Sequence, residues 1–291
     1  MLGRSRKMGD VNMVKYGLLI NVARCIGCYN CWIACKDEHC GNEHPGYSAS
    51  QPDYGHFWIK VVEKERGKFP KVKMTFIPVF CMHCDDAPCV KAARNGAVYQ
   101  RTDGIIIIDP EKAVGQKELL AFCPYRMIYW NEEKNLPQKC TFCAHLLDQG
   151  FKEPRCVEVC PTDALIFGDL EDPNSRISQI LTSVKPEVLH PQFDLKGRVF
   201  WINLPKRFIA GTVLYADTNE CAEGVLVTLI GDEEKRTTKT NVFGDFEFEN
   251  LKENADYTII IEAPGYKSQV FKVKTRNDIY LGRIMLEKSV T

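Results

Sequence analysis

The sequence predicts an α+β chain in two unlike parts: a cysteine-rich first part built around an internal repeat, and an all-β second part. Three observations predict it. Thirteen of the fourteen cysteines lie between residues 25 and 160, and only Cys221 lies beyond. The stretch holding Asn21, Arg24, Gly27 and Cys35 falls without a gap over Asp109, Lys112, Gly115 and Cys123, so one strand–turn–helix occurs twice. From about residue 207 onward, apolar residues alternate with the period of two that marks half-buried strands.

Composition sets the outer bounds. The 291 residues suffice for about two domains. Thirty-eight basic and 38 acidic side chains cancel, so no net charge draws the chain to nucleic acid. No apolar run reaches the roughly 18 residues of a membrane span, so no direct membrane insertion is expected. Residues 1–15 read as a basic arm in which Arg4, Arg6 and Lys7 are solvated. The arm has neither the apolar core of a signal peptide nor an adjacent arginine pair. The expected location is cytoplasmic, or exported together with a partner that carries the signal.

The first strand is Gly17 to Val22, a continuous apolar run, and the cysteine groups begin after it. The first group is Cys25, Cys28, Cys31 and Cys35; the second is Cys81, Cys84 and Cys89, with Cys123 downstream; the third is Cys140 and Cys143, then Cys156 and Cys160. Disulfide frameworks belong to short secreted chains, and structural zinc takes two close pairs rather than triplets with a fourth cysteine held back. C-x2-C-x2-C-x3-C is the bacterial ferredoxin run, in which the fourth cysteine serves a neighbouring cluster. Two-residue gaps curl the backbone around a cubane so that amide N–H groups point at its sulfurs. Applied along the chain, the crossing rule joins Cys25, Cys28 and Cys31 to Cys160. It joins Cys140, Cys143 and Cys156 to Cys35, and Cys81, Cys84 and Cys89 to Cys123. Three [4Fe-4S] clusters result, and Cys40 and Cys221 remain as ordinary thiols. His39, Cys40 and His44 sketch a further metal site without an evident fourth ligand. Lys36 follows Cys35 where the simple ferredoxin run has proline, whereas Pro124 and Pro161 follow their cysteines.

The repeat explains the number three. A fourth site would use positions 113, 116 and 119 with position 93. These are Ala113, Gln116, Leu119 and Ala93, so all four ligands are absent together while Cys123 survives to serve another cluster. One lost cluster accounts for this more simply than four coincidences.

The remaining elements follow in order. Residues 36–80 form a long polar and aromatic insertion, read either as docking surface for a larger partner or as cover shielding the clusters from water. Gly104 to Ile108 reads as a buried strand, and 127–135 as a hairpin arm leading to Cys140. The cluster domain is expected over 16–170. Residues 171–206 read as a linker with a short helix capped by Asn174 or Ser175, interrupted by Pro186 and Pro191. Residues 207–291 read as about seven short strands forming a sandwich, with Gly244 in a turn and Phe246, Phe248, Leu251 and Tyr257 in the core. Arg24, Lys139 and Arg155 adjoin ligands and are in reach to raise potentials, but surface solvation is the default for them. No acid–base pair or nucleophile elbow is visible, so no catalytic residue is assigned.

CIGCYNCWIACKDEH, CMHCDDAPC, AFCPY, QKCTFCAH and RCVEVCPTDAL resemble the successive motifs of the iron–sulfur electron-transfer (beta) subunits of molybdopterin oxidoreductases. That family contains dimethyl sulfoxide, nitrate and polysulfide reductases. Most members carry ligands for four clusters, and this chain departs by carrying ligands for three. Within the family the chain is most similar to the transhydroxylase branch, whose small subunit also has three clusters and an added β-domain. The resemblance implies a ferredoxin-like pseudo-twofold iron–sulfur domain. TNVFGDFEFENLKENADYTIIIEAPGY resembles transthyretin-like repeats, implying a transthyretin-like or immunoglobulin-like sandwich. The implied function is that of non-catalytic electron-transfer subunit. The implied partner is a larger molybdopterin catalytic subunit that holds a molybdenum bis-pterin and acts on polyhydroxylated aromatics as hydroxytransferase or dehydroxylase. A higher oligomer of the heterodimer is compatible with this. The alternatives are a free-standing polyferredoxin and the small subunit of another anaerobic reductase of polysulfide or dimethyl sulfoxide type.

Overall fold

The computed structural model describes residues 14–289, so the arm read at Arg4, Arg6 and Lys7 lies outside the described residues. The chain divides into two compact units. One runs to Glu63 and again from Phe76 to Leu204; the other takes Lys64–Thr75 and continues from Pro205.

The cysteine-bearing unit contains β1 (Tyr16–Asn21), α1 (Asn30–His39), parts of the hairpin β2 (Lys60–Lys68) and β3 (Lys71–Val79), and α2 (Pro88–Ala92). Two small hairpins follow, β4 (Val98–Gln100) with β5 (Ile106–Ile108), and β6 (Tyr129–Asn131) with β7 (Leu136–Gln138). Then come α3 (Ala144–Asp148), α4 (Arg155–Glu158), β8 (Leu165–Asp169), α5 (Arg176–Ser183) and β9 (Val199–Ile202). β1 is the central strand of a three-stranded sheet, antiparallel to β8 and parallel to β9. Its uninterrupted apolar run has a physical reason, since both faces are covered. Leu18 and Ile20 join the main core with Trp201, while Leu19 packs with Ile166, Ile177 and Ile202.

Two expectations are corrected here. Residues 171–206 are not a linker. Ser175 does cap α5, accepting from the Ser178 N–H at 3.3 Å, but β9 closes the segment by pairing with β1. The insertion 36–80 is not one polar surface either. Ser48, Ala49, Gln51, Trp58 and Ile59 turn inward, and 60–79 form the β2–β3 hairpin.

The second unit holds β10 (Arg207–Tyr215), β11 (Leu226–Ile230), β12 (Lys235–Lys239), β13 (Asp245–Leu251), β14 (Asp256–Glu262), β15 (Gln269–Lys274) and β16 (Ile279–Leu286). They form two sheets, ordered β13-β10-β16 and β12-β11-β14-β15. Ile209, Val213, Phe246, Phe248, Leu251 and Ile284 of the first sheet share one core with Val227, Leu229, Tyr257, Ile259 and Ile261 of the second. Gly244 is a turn residue because its φ is +73° and a Cβ there would lie 2.2 Å from the Val213 carbonyl oxygen. The tip of the β2–β3 hairpin belongs to this unit. Arg66 lies 3.7 Å from the buried Asp278 carboxylate, Lys71 lies 3.4 Å from Asp245, and Lys73 pairs with Glu247 and Glu249.

Candidate iron–sulfur sites

The loop after β1 is shaped by a 3-10 turn at Val22–Arg24 and by two left-handed residues, Gly27 at φ +68° and Tyr29 at φ +61°. Position 27 must be glycine twice over, since a Cβ would also meet the Phe76 ring at 2.6 Å. The curl turns amides toward sulfur. The Gly27 amide beside Cys25 and the Trp32 amide beside Cys31 oppose the effect of burial on those thiols. The same device recurs elsewhere. The Phe142 N–H donates to Cys140 Sγ at 3.4 Å, and the Met127 N–H donates to Cys123 Sγ at 3.4 Å.

Packing of α1 on α4 carries out the crossing. Cys31 and Cys35 leave α1 a turn apart, and Cys156 lies on α4 with Cys160 just beyond it. Burial first, then the charges of Cys25, Cys160 and Cys28, push the Cys31 thiol up to about 12. Cys35 is pushed well above the thiol range by burial, then by Cys140, Cys143 and Cys31. Cys156 is pushed well above it by burial, then by Cys143, Cys140 and Cys35. Burial, then Cys81, and more weakly Cys123, bring Cys89 to about 11. Burial followed by Cys81, Cys89 and Cys123 raises Cys84. Thus the thiols gather as Cys25, Cys28, Cys31 and Cys160; as Cys35, Cys140, Cys143 and Cys156; and as Cys81, Cys84, Cys89 and Cys123. The sets also abut in sequence. Cys31 acts on Cys35 and Cys156, and Cys81 acts on Cys140, so the second set stands between the other two. The sequence had not revealed that order. The second set is wholly buried, whereas Cys28 of the first set is exposed.

The polar surroundings fit sulfur-rich anions. The Gln51 amide is buried with neither of its polar atoms hydrogen-bonded, and it stands near enough to the Cys35 thiol to oppose the effect of burial there. His83 Nε2 and Thr141 Oγ1, each beside ligand-type cysteines, are likewise buried without partners. Four thiols packed together resist losing their protons; iron bound as a cluster holds them as thiolates and adds a one-electron acceptor.

The remaining candidates separate. Cys221 is exposed, and the Cys40 thiol donates to Asp53 Oδ1 at 3.4 Å, away from the three sets. The sketched site of His39, Cys40 and His44 does not form. Instead Glu38, His44 and His145 cluster, with the two histidine rings stacked at 3.6 Å. Glu38 is already taken by His145 at 3.0 Å and by Arg155 Nε at 2.8 Å. His39 is buried against this group, with Nε2 3.9 Å from Cys143 Sγ, and burial holds its ring neutral. Arg24 pairs with Asp163 at 3.8 Å on the surface, as its default reading expected. Lys139 does not lie on the surface; it is 2% exposed. A lysine directly before a cysteine carries no sequence signal of burial, and neither does Gln51.

Positions 93, 113, 116 and 119 are filled. Ala113 and Leu119 are in the core. The Gln116 amide accepts from the Arg94 N–H at 3.0 Å and donates to the Arg94 and Lys112 carbonyls at 3.3 and 2.8 Å.

Residues 72–170 match the family described as 4Fe-4S dicluster domain, and 209–280 match the carboxypeptidase regulatory-like domain. The chain is 42% identical over 281 residues to the pyrogallol hydroxytransferase small subunit of Pelobacter acidigallici, covering 94% of this chain and 100% of that one. It is 31% identical over 237 residues to the arsenate respiratory reductase iron–sulfur subunit of Shewanella sp. strain ANA-3, covering 65% of this chain and 96% of that one. With the iron–sulfur protein of a putative dimethyl sulfoxide reductase from Halobacterium salinarum the identity is 35% over 221 residues, covering 66% and 80%.

Proposed function

Because the chain belongs to the iron–sulfur subunits of molybdopterin oxidoreductases, we propose that its twelve grouped cysteines hold three [4Fe-4S] clusters in a row serving a larger molybdenum bis-pterin subunit. In this family the subunit is the non-catalytic, electron-transfer part of an enzyme. The observation that carries the three-cluster reading is the partition of the thiols. Three sets of four abut in order, the middle one is sealed from solvent, and the first reaches the surface at Cys28.

Each part of the site has a task in that reading. Amide N–H groups and buried polar side chains stabilise charge on sulfur and tune each potential. The inward-turned Ser48, Ala49, Gln51, Trp58 and Ile59 keep water from the second set. The exposed Ile26 and Ile33 flank the first set and offer an apolar face where the partner docks within tunnelling reach. By likeness to the Pelobacter protein, the complex acts on polyhydroxylated aromatics, moving or removing a hydroxyl. The second unit carries no grouped thiols and braces the complex or its oligomer; its two sheets fit the transthyretin-like sandwich, and the cluster unit fits a ferredoxin-like fold.

Anaerobic purification of the native complex tests this. The expected result is a larger molybdenum-containing subunit in stoichiometric association and about twelve irons and twelve sulfides per small subunit. Sixteen of each, or a small subunit that purifies alone without molybdenum, overturns the reading.

A further inference from the structure

The third cysteine set has a buried cation beside it. The Lys139 ammonium donates to the Ile106 carbonyl and to the Cys140 carbonyl, the latter at 2.9 Å. Both acceptors are neutral, and among the described residues no carboxylate pairs with it. The neighbouring His83 offers no charge either. The Ile106 N–H donates to its Nδ1 at 3.0 Å, leaving the ring proton on Nε2, and burial holds the ring neutral. A buried ammonium without a counter-charge is strongly unfavourable, so such groups are paired or displaced in ordinary cores. Besides His83, the groups within charge reach of Lys139 are cysteines: Cys84, Cys89 and Cys123 of the third set, and Cys140 of the second.

A cubane held by four thiolates is an anion, and its charge grows more negative by one when it accepts an electron. A fixed cation nearby therefore stabilises the reduced form more than the oxidised form. We infer that the Lys139 ammonium is the resident counter-charge of the site formed by Cys81, Cys84, Cys89 and Cys123, and that it makes this end of the row the place where a transferred electron rests. The step is a one-electron exchange. The adjacent second cluster would lose one electron, the third would gain it, and no bond would form or break. The inference rests on the three-cluster reading above.

The test uses the purified complex carrying Lys139→Met, Lys139→Gln or Lys139→Arg, with iron counted and midpoint potentials read by electron paramagnetic resonance during a redox titration. Wild-type iron is counted first; a shortfall from twelve defeats the three-cluster reading and leaves the role of Lys139 a separate matter. Glutamine can still donate to the two carbonyls, so it separates charge from hydrogen bonding. The expected result is a negative shift confined to one cluster in the Met and Gln variants. The shift corresponds to at least about a tenfold weaker reduction, or about 59 mV for a one-electron couple. Arginine restores the potential. Iron loss in the Met and Gln variants with retention in the Arg variant also supports a counter-charge. Unchanged potentials in all variants, equal shifts with arginine, or iron loss in all three variants overturn it.

Discussion

The loop after β1 and the loop after β5 begin alike and end differently. Each leaves a buried strand through Asn21 or Asp109, and each turns on a left-handed glycine, Gly27 at φ +68° and Gly115 at φ +75°. The first then opens. Cys25, Cys28 and Cys31 stay partly or fully exposed, and α1 runs for ten residues. The second closes. Ala113, Gln116 and Leu119 are buried, and the helix is replaced by a tighter 3-10 turn at Lys117–Phe122. The difference teaches that a cluster loop is a lining without a filling. In the second loop side chains occupy the space and satisfy the backbone, as Leu119 and the Gln116 amide do.

The comparison can be broken most directly at aligned positions. Cys25→Ser is expected to lower iron by about four atoms or to prevent folding, because ligation is coupled to folding. The same holds for Cys123→Ser. Ala113→Ser, at the position aligned with Cys25, is expected to leave iron unchanged, as are Cys40→Ser and Cys221→Ser. Iron loss in Ala113→Ser, or full iron in Cys123→Ser, measured colorimetrically on anaerobic protein, would end the contrast. A smaller effect is expected from Leu119→Ala, which leaves a cavity at the buried position aligned with Cys31. Its cost is about 2–5 kcal/mol in denaturant unfolding with iron retained until the transition. A cost near zero would mean that the space is not filled by Leu119. The smallest effect is expected from Gln116→Leu, about 1–3 kcal/mol, since the Arg94 N–H and the Lys112 carbonyl lose their partner. Faster amide exchange at Arg94 in that variant would locate the loss.

Legibility followed the chemistry. Cysteine spacing is dictated by the geometry of a cubane, so the gathering of twelve thiols in fours could be read from residue order alone. Phe246, Phe248, Leu251 and Tyr257 were legible because strand alternation records burial directly. Elements without such a record were missed. β12, with the sequence KRTTK, is a polar edge strand whose side chains need no apolar alternation. β9 sits among prolines and charges that resemble a connector, and its partner β1 is more than 170 residues away in sequence, as Leu18 against Val199 illustrates. The burial of Lys139 left no trace, because a lysine looks the same in sequence whether water or two backbone carbonyls accept its hydrogen bonds.

The β2–β3 hairpin gives the polypeptide three passages between the units, after Glu63, Thr75 and Leu204. The second unit is therefore assembled from two separated stretches of the chain. Asp278, nearly sealed from solvent, relies on Arg207 from its own stretch and on Arg66 from a segment about two hundred residues earlier. Lys71 and Lys73 answer Asp245, Glu247 and Glu249 in the same way. A chain ending at Leu204 would leave Arg66, Lys71 and Lys73 on the hairpin without the carboxylates they now face.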